Sequence, residues 1–146
     1  MTAEAMDKAF HYQRRVNFSE TDMAGVMHFA SYLEVMEEVE HAMWRSLGES
    51  VNNIVDGELF LWPRVSVSCD YIKPLRFEDE IDLRLVVQKL GEKSMTYSVG
   101  FYVNDSKAAE ASATAVCCRE SESGFRSTQI PDRIREKLSS LLVASE

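Results

Sequence analysis

The sequence predicts an α+β protein in which one long helix accompanies a five-stranded antiparallel sheet. Three observations carry this. An apolar stripe of helical period runs over residues 31–47, later segments alternate apolar and polar residues, and short turn sequences separate those segments. With 146 residues, 45% hydrophobic and 27% charged, the chain has the size and composition of one globular domain, read as 1–146.

The elements follow in order. Residues 1–9 are polar and read as frayed. Over residues 11–19, Tyr12, Val16 and Phe18 share one parity, a strand that Arg14 interrupts. A loop over 20–25 leads to the helix, where Ser31 and Glu34 have the S-x-x-E spacing of a capping box. Tyr32, Met36, Val39, Met43 and Leu47 form its stripe, Glu34, Glu37, Glu38, His41 and Arg45 lie mostly off it, and Gly48 is a suitable stop. A loop around 52–57 follows. Residues 65–71, 81–88 and 95–103 then alternate, and 109–119 is a run of small residues ending in Val116, Cys117 and Cys118. Turns fall at 73–79, 90–92 and 104–106. Pro131 opens a short helix with the stripe Ile134, Leu138 and Leu141. Successive strands on short turns give an antiparallel sheet. The long helix covers one face, which the small residues of 108–115 let it approach closely. The other face calls for a partner, so a homo-oligomer, dimer or tetramer, is expected.

Composition excludes several function classes. There are 16 basic and 24 acidic residues, a net charge of −8, and no long basic run, which disfavours a nucleic-acid partner. No apolar run is long enough for a membrane span. The opening MTAEAMDKAF has no basic region followed by an apolar one, so no signal peptide is read and a cytoplasmic location is expected. Cys69, Cys117 and Cys118 form no CxxC pair and read as reduced thiols. His11, His28 and His41 lack metal-ligand spacing, and P-loop, GxGxxG and G-x-S-x-G motifs are absent. No metal and no cofactor is expected.

Asp22 is the first candidate for chemistry. A carboxylate between a strand and a helix start faces free backbone N–H groups and a positive dipole end. It reads either as a loop or capping acid or as a nucleophile or general base beside an oxyanion site, and position alone does not choose. His28, near the helix start, reads as a ligand contact or a packing residue, and His41 as a surface residue.

The run Phe18-Ser-Glu-Thr-Asp-Met-Ala-Gly-Val-Met-His-Phe-Ala-Ser-Tyr-Leu33 resembles the signature of hotdog-fold acyl-CoA thioesterases of the 4-hydroxybenzoyl-CoA thioesterase class, whose relatives include the Tol-Pal-associated bacterial thioesterases. Cys69-Asp-Tyr-Ile-Lys-Pro-Leu-Arg-Phe-Glu-Asp-Glu80 is similar to that family's Y-x-x-P-x-x-x-x-D strand and turn, and Phe125-Arg-Ser-Thr-Gln-Ile-Pro131 to its closing segment. The resemblance implies the hotdog fold, a five-stranded antiparallel sheet wrapped around one long central helix, with active sites between subunits. It implies an acyl-CoA substrate, hydrolysed by Asp22 as nucleophile or general base with the Phe29 backbone N–H as oxyanion donor. It puts Gly25 and His28 near the acyl group and matches Lys93 and Arg126 to positions that hold the phosphates of coenzyme A, where they otherwise read as exposed surface charge. Tyr32, Phe29 and Trp62 read either as the lining of an acyl pocket or as core aromatics. Arg64, Lys73 and Arg76 are further cations. Ser31 stands where the family has Asn, and His28-Phe29 where it has another aromatic or His pair, which bears on substrate identity. The alternatives are a hydratase on the same fold, for which no Asp–His or Glu–His motif is found, and a non-catalytic module binding acyl-CoA or acyl carrier protein.

Overall fold

The structure, a computed structural model, describes residues 2–144. Its sheet is built from β1 (Phe10–Arg15), β4 (Arg64–Tyr71), β5 (Glu80–Leu90), β6 (Ser94–Val103) and β7 (Ser106–Val116), in the spatial order β1-β5-β6-β7-β4 with every pair antiparallel. Alternation decides which side chains meet the core. Ile81, Leu83, Leu85 and Val87 of β5 and Met95, Tyr97, Val99 and Phe101 of β6 are all buried on one face. Ala109, Ala111, Ala113 and Ala115 of β7 continue that face. Their single methyl groups leave room for α2 (Ser31–Ser46), which buries Tyr32, Val35, Met36, Val39 and Met43 in the same cluster. Gly48, with φ +77°, ends the turn after α2 in the left-handed region.

Several local expectations change. Residues 3–8 are helical (α1, Ala3–Lys8), capped by the Thr2 hydroxyl, which accepts the Ala5 N–H at 3.1 Å. Ser31 does not cap α2. The backbone already turns at Ala30 (φ −72°, ψ −25°), the Ser31 N–H donates to the His28 carbonyl at 2.9 Å, and no side chain caps the helix start. The strand expected over 11–19 stops at Arg15, and Phe18–Glu20 forms a single 3-10 turn that leaves Phe18 exposed. The loop around 52–57 is a small hairpin of β2 (Asn53–Val55) and β3 (Glu58–Phe60), turned by Asp56 and Gly57 at φ +51° and +78°, an Asp-Gly hairpin signal. The run over 109–119 breaks at Cys117, whose N–H donates to the Lys93 carbonyl at 2.7 Å. Beyond it, β8 (Cys118–Ser121) and β9 (Gly124–Ser127) form a second hairpin. Helix α3 (Asp132–Ser139) follows Pro131 and buries Ile134 and Leu138.

A bulge at the start of β4 has a large effect. Arg64 pairs with Ala115 and Ser66 with Thr114, so Val65 is the extra residue. Arg64 is thereby turned inward, out of the alternation the sequence suggests, to form an ion pair with Glu40 of α2. Glu40 is fully buried and also accepts from the Tyr97 hydroxyl at 3.0 Å and the Trp44 Nε1–H at 3.2 Å.

The other sheet face is polar and not wholly bare. Arg84 lies across it, bonded to Asp82 (2.9 Å) and Asp105 (2.8 Å), with its guanidinium 3.9 Å from the centre of the Tyr102 ring. That ring lies so close to Gly100 that a Cβ there would come within 2.6 Å of it. Beside them, α1 and residues 143–144 leave a cavity of about 650 Å³ lined by Ala5, Arg84, Gln88 and Val143 among others. Lys8 Nζ holds the Leu142 carbonyl at 3.1 Å. Among the described residues no helix is long and apolar enough to cross a membrane.

Two stability tests follow from these ion pairs. Arg64→Ala strands the Glu40 carboxylate in the core and is expected to cost about 3–5 kcal/mol in denaturant unfolding. The double change Glu40→Leu with Arg64→Met should recover most of that loss, and a double variant as weak as Arg64→Ala would contradict it. Glu49, nearly buried, accepts from Arg133 Nη2 at 3.1 Å and Lys137 Nζ at 2.5 Å. Burial alone would raise its pKa, but the Lys137 and Arg133 contacts outweigh this and hold it below the usual carboxylate range. A depressed folded pKa stabilises above the unfolded value and loses that contribution as pH falls through the folded value. Glu49→Gln should therefore cost about 1–2 kcal/mol at pH 7. The gap should close in thermal melts as pH falls below about 4.3.

Candidate active site

The loop between β1 and α2 is closed like a miniature hairpin. Thr21 bridges Met27, the Asp22 N–H donates to the Val26 carbonyl at 3.0 Å, and the His28 N–H donates to the Glu20 carbonyl at 2.8 Å. Gly25 permits the turn, with φ +79° and its N–H on the Asp22 carbonyl at 3.0 Å. Glu20 clamps this loop to the body. Its carboxylate accepts the Asn17 N–H at 2.8 Å and Arg14 Nη2 at 2.9 Å, and Arg14 Nε reaches Glu38 of α2 at 3.1 Å.

Asp22 is exposed on this closed loop. One carboxylate oxygen, Oδ1, accepts the Ala24 N–H at 2.8 Å, and Oδ2 has no partner among the described residues. The Asx turn aims the group, and the second oxygen remains available to attack or to take a proton. Phe29 lies two residues before α2, 67% exposed, with its ring stacked on His28 at 4.5 Å. No acceptor for its backbone N–H is found among the described residues. The His28 carbonyl on the same peptide is occupied by Ser31, so the trans geometry points the Phe29 N–H the opposite way. His28 Nδ1 accepts the Ala30 N–H at 3.2 Å, which places the proton of the neutral ring on Nε2.

A hollow of about 270 Å³ lies beside this loop, lined by Phe29, Tyr32, Tyr71, Ile72, Lys73 and Pro74 among others. Tyr32 presents its ring there, edge-on to Tyr71 at 4.9 Å. The sequence does not single out Tyr71 as a site residue, although its Y-x-x-P context is visible there. Its hydroxyl donates to the Phe29 carbonyl at 2.9 Å. Burial first, then the neighbouring Cys69, pushes its pKa up to about 12.

The expected site residues are not all brought together within one chain. Gly25, His28, Phe29 and Tyr32 share the Asp22 loop or its edge, and Arg76 is near, with Nη1 at 3.5 Å from the Gly25 carbonyl. Trp62 belongs to the core. It is 4% exposed, donates to Asn53 Oδ1 at 2.7 Å and packs 5.8 Å from Trp44. Lys93 and Arg126 are exposed at the Arg64 end of the sheet, Lys93 on the turn before β6 and Arg126 on β9. The loop of Asp22 lies at the Tyr71 end. The 8 residues of β4 separate these ends by about 23 Å at the usual strand rise. Among the described residues, no group of His, Cys, Asp and Glu could hold a metal ion.

The apolar side chains of this region are poorly covered. Met23, Phe29, Val65, Val67, Tyr71 and Ile72 are all exposed, and Val65, Val67 and Tyr71 lie on the edge strand β4.

Comparison with known proteins gives a consistent result. The profile of the Thioesterase-like superfamily matches residues 16–138. A 1,4-dihydroxy-2-naphthoyl-CoA hydrolase of Nostoc punctiforme is 28% identical over 127 residues, covering 86% of this chain and 84% of its own. Among solved structures, a gentisyl-coenzyme A thioesterase superposes with a TM-score of 0.75 at 25% identity, covering 86% of this chain and 99% of the other. A 1,4-dihydroxy-2-naphthoyl-CoA thioesterase from Synechocystis superposes with a TM-score of 0.81 at 23% identity, covering 91% and 97%, and supports the fold.

Proposed function

The chain belongs to the Thioesterase-like superfamily and is a thioesterase of acyl-CoA type, and from that premise we propose that it hydrolyses an aromatic acyl-CoA, with Asp22 as the reacting carboxylate. The observation that carries the reading is the loop itself. It presents a carboxylate with one unoccupied oxygen and, seven residues on, a backbone N–H without an acceptor at the start of α2.

The chemistry suits a thioester. Asp22 Oδ2 either attacks the carbonyl carbon, forming an anhydride that water then opens, or takes the proton of a water that attacks instead. In both routes the C–S bond breaks, the carbonyl oxygen passes through an oxyanion that the Phe29 N–H receives, and coenzyme A leaves as thiolate. A thiolate is stable enough to leave without a strong acid. The aromatic acyl class is supported by the hollow framed by Phe29, Tyr32 and Tyr71 and by the naphthoyl and gentisyl substrates in the relatives' names. Gly25 and His28 shape the loop that meets the acyl group.

The assembly belongs to the same proposal. Residues 1–146 act as one hotdog domain whose sheet wraps α2, and two copies pair across β4. An antiparallel pairing of β4 with its own copy would cover Val65, Val67 and Tyr71. It would also bring the Arg64 end of one copy, with Lys93 and Arg126, to the Asp22 end of the other. Coenzyme A phosphates would then be held by the copy opposite the reacting carboxylate, with Lys73 and Arg76 nearer the thioester.

Asp22→Asn is expected to keep the fold and the affinity for acyl-CoA and to lower kcat by at least about 100-fold, a loss of about 3 kcal/mol of transition-state stabilisation. Near-normal turnover on an accepted aryl-CoA would sink the mechanism. Lys93→Ala with Arg126→Ala should chiefly raise KM, less so at high salt. Co-expression of that double variant with Asp22→Asn tests the shared site. Mixed dimers should regain one site with wild-type KM, whereas a site confined to one chain predicts no recovery.

A further inference from the structure

We infer that Tyr71 is a positioning residue for thioester hydrolysis, holding in place the peptide that follows the oxyanion-binding amide of Phe29. The inference rests on the reading of Asp22 and Phe29 given above and gives a role to the tyrosine of the Y-x-x-P segment.

Little else restrains Phe29. Its side chain is mostly exposed and touches His28 from the same loop, so packing against the body does not fix it. Two peptide planes meet at its Cα. The His28–Phe29 plane is tied at its carbonyl by the Ser31 N–H. The Phe29–Ala30 plane is tied at both poles. Its N–H donates to His28 Nδ1 at 3.2 Å, and its carbonyl accepts the Tyr71 hydroxyl at 2.9 Å. The His28 tie is local and moves with the loop. The Tyr71 tie spans 42 residues and reaches to the sheet.

Tyr71 is itself well anchored. Its ring meets Tyr32 edge-on, and the next two N–H groups, of Ile72 and Lys73, both donate to the Ala108 carbonyl at 2.8 and 3.0 Å. The two planes share the Phe29 Cα, so the Tyr71 bond, by anchoring the second plane to the sheet, also fixes the point from which the first plane and its N–H are aimed at the oxyanion. An oxyanion donor acts only if it is aimed before charge develops. With a pKa of about 12, the hydroxyl keeps its proton, and so its donor role, throughout the working pH range.

The test is Tyr71→Phe, which keeps the ring and removes the donor. On an accepted aryl-CoA, kcat is expected to fall about 10-fold, less than for loss of the amide donor itself. KM, the affinity for a non-hydrolysable S-alkyl-CoA thioether and the thermal midpoint should stay at their wild-type values. An unchanged kcat would overturn the inference, as would a loss of kcat accompanied by equal losses of thioether affinity or thermal stability, which would mark a merely structural role. The underlying reading fails separately. If Asp22→Asn abolishes turnover while Tyr71→Phe is normal, only the role of Tyr71 falls, whereas an active Asp22→Asn removes the mechanism that Tyr71 would serve.

Discussion

A carboxylate in the middle of the core constrains much of this fold. Glu40 lies on the buried side of α2, where an unpaired charge would be very costly. It is matched by Arg64, and Arg64 can reach it only because β4 begins with a bulge at Val65. The bulge also resets the alternation of the strand. Without it, a strand that turned Arg64 inward would turn Ser66, Ser68 and Asp70 inward as well. With it, Val67, Cys69 and Tyr71 share the inner face with Arg64. One strand thus serves α2 at two places: an ion pair beside its middle and a hydroxyl at the peptide before its start.

The loop of Asp22 is the second fixed point. Its shape comes from backbone pairing at Thr21–Met27 and Glu20–His28, and its attachment from Glu20 and Arg14. Both features bear on the carboxylate that we propose as the reacting group. The turn aims Asp22, and the clamp sets the distance from the body. Arg14 is shared between Glu20 and Glu38, and the carboxylate of Asp22 is left to face outward.

The legible parts of the sequence were those governed by one rule at a time. The strands β5 and β6 and the helix α2 follow periodicity, and the structure places them within a residue or two of expectation. Asp22 and Gly25 stood out because a tight turn before a helix needs such residues. Arg64 and Glu40 did not, because a bulge is a pairing between strands that no local pattern announces. The cap at Ser31 looked sound by spacing and failed because the chain was already turning at Ala30. Trp62 was drawn into the site by its aromatic character, whereas its indole N–H has a partner in Asn53 and its ring a neighbour in Trp44. Tyr71 was hidden for the opposite reason: in an alternating strand it reads as one more inward aromatic, and its importance depends on which carbonyl lies above it.

The pair of Gly100 and Tyr102 on the outer sheet face carries a different kind of consequence. The phenol ring occupies the space that any side chain at position 100 would need, and Arg84 closes over the ring from the other side. The three positions therefore cannot drift independently. A methyl group at position 100 would force the ring to shift, and a displaced ring would deprive the guanidinium of its stacking surface. Divergent relatives of this chain should keep the glycine, the tyrosine and the arginine as a set or replace them as a set, which makes this patch a lineage marker separate from the Asp22 loop.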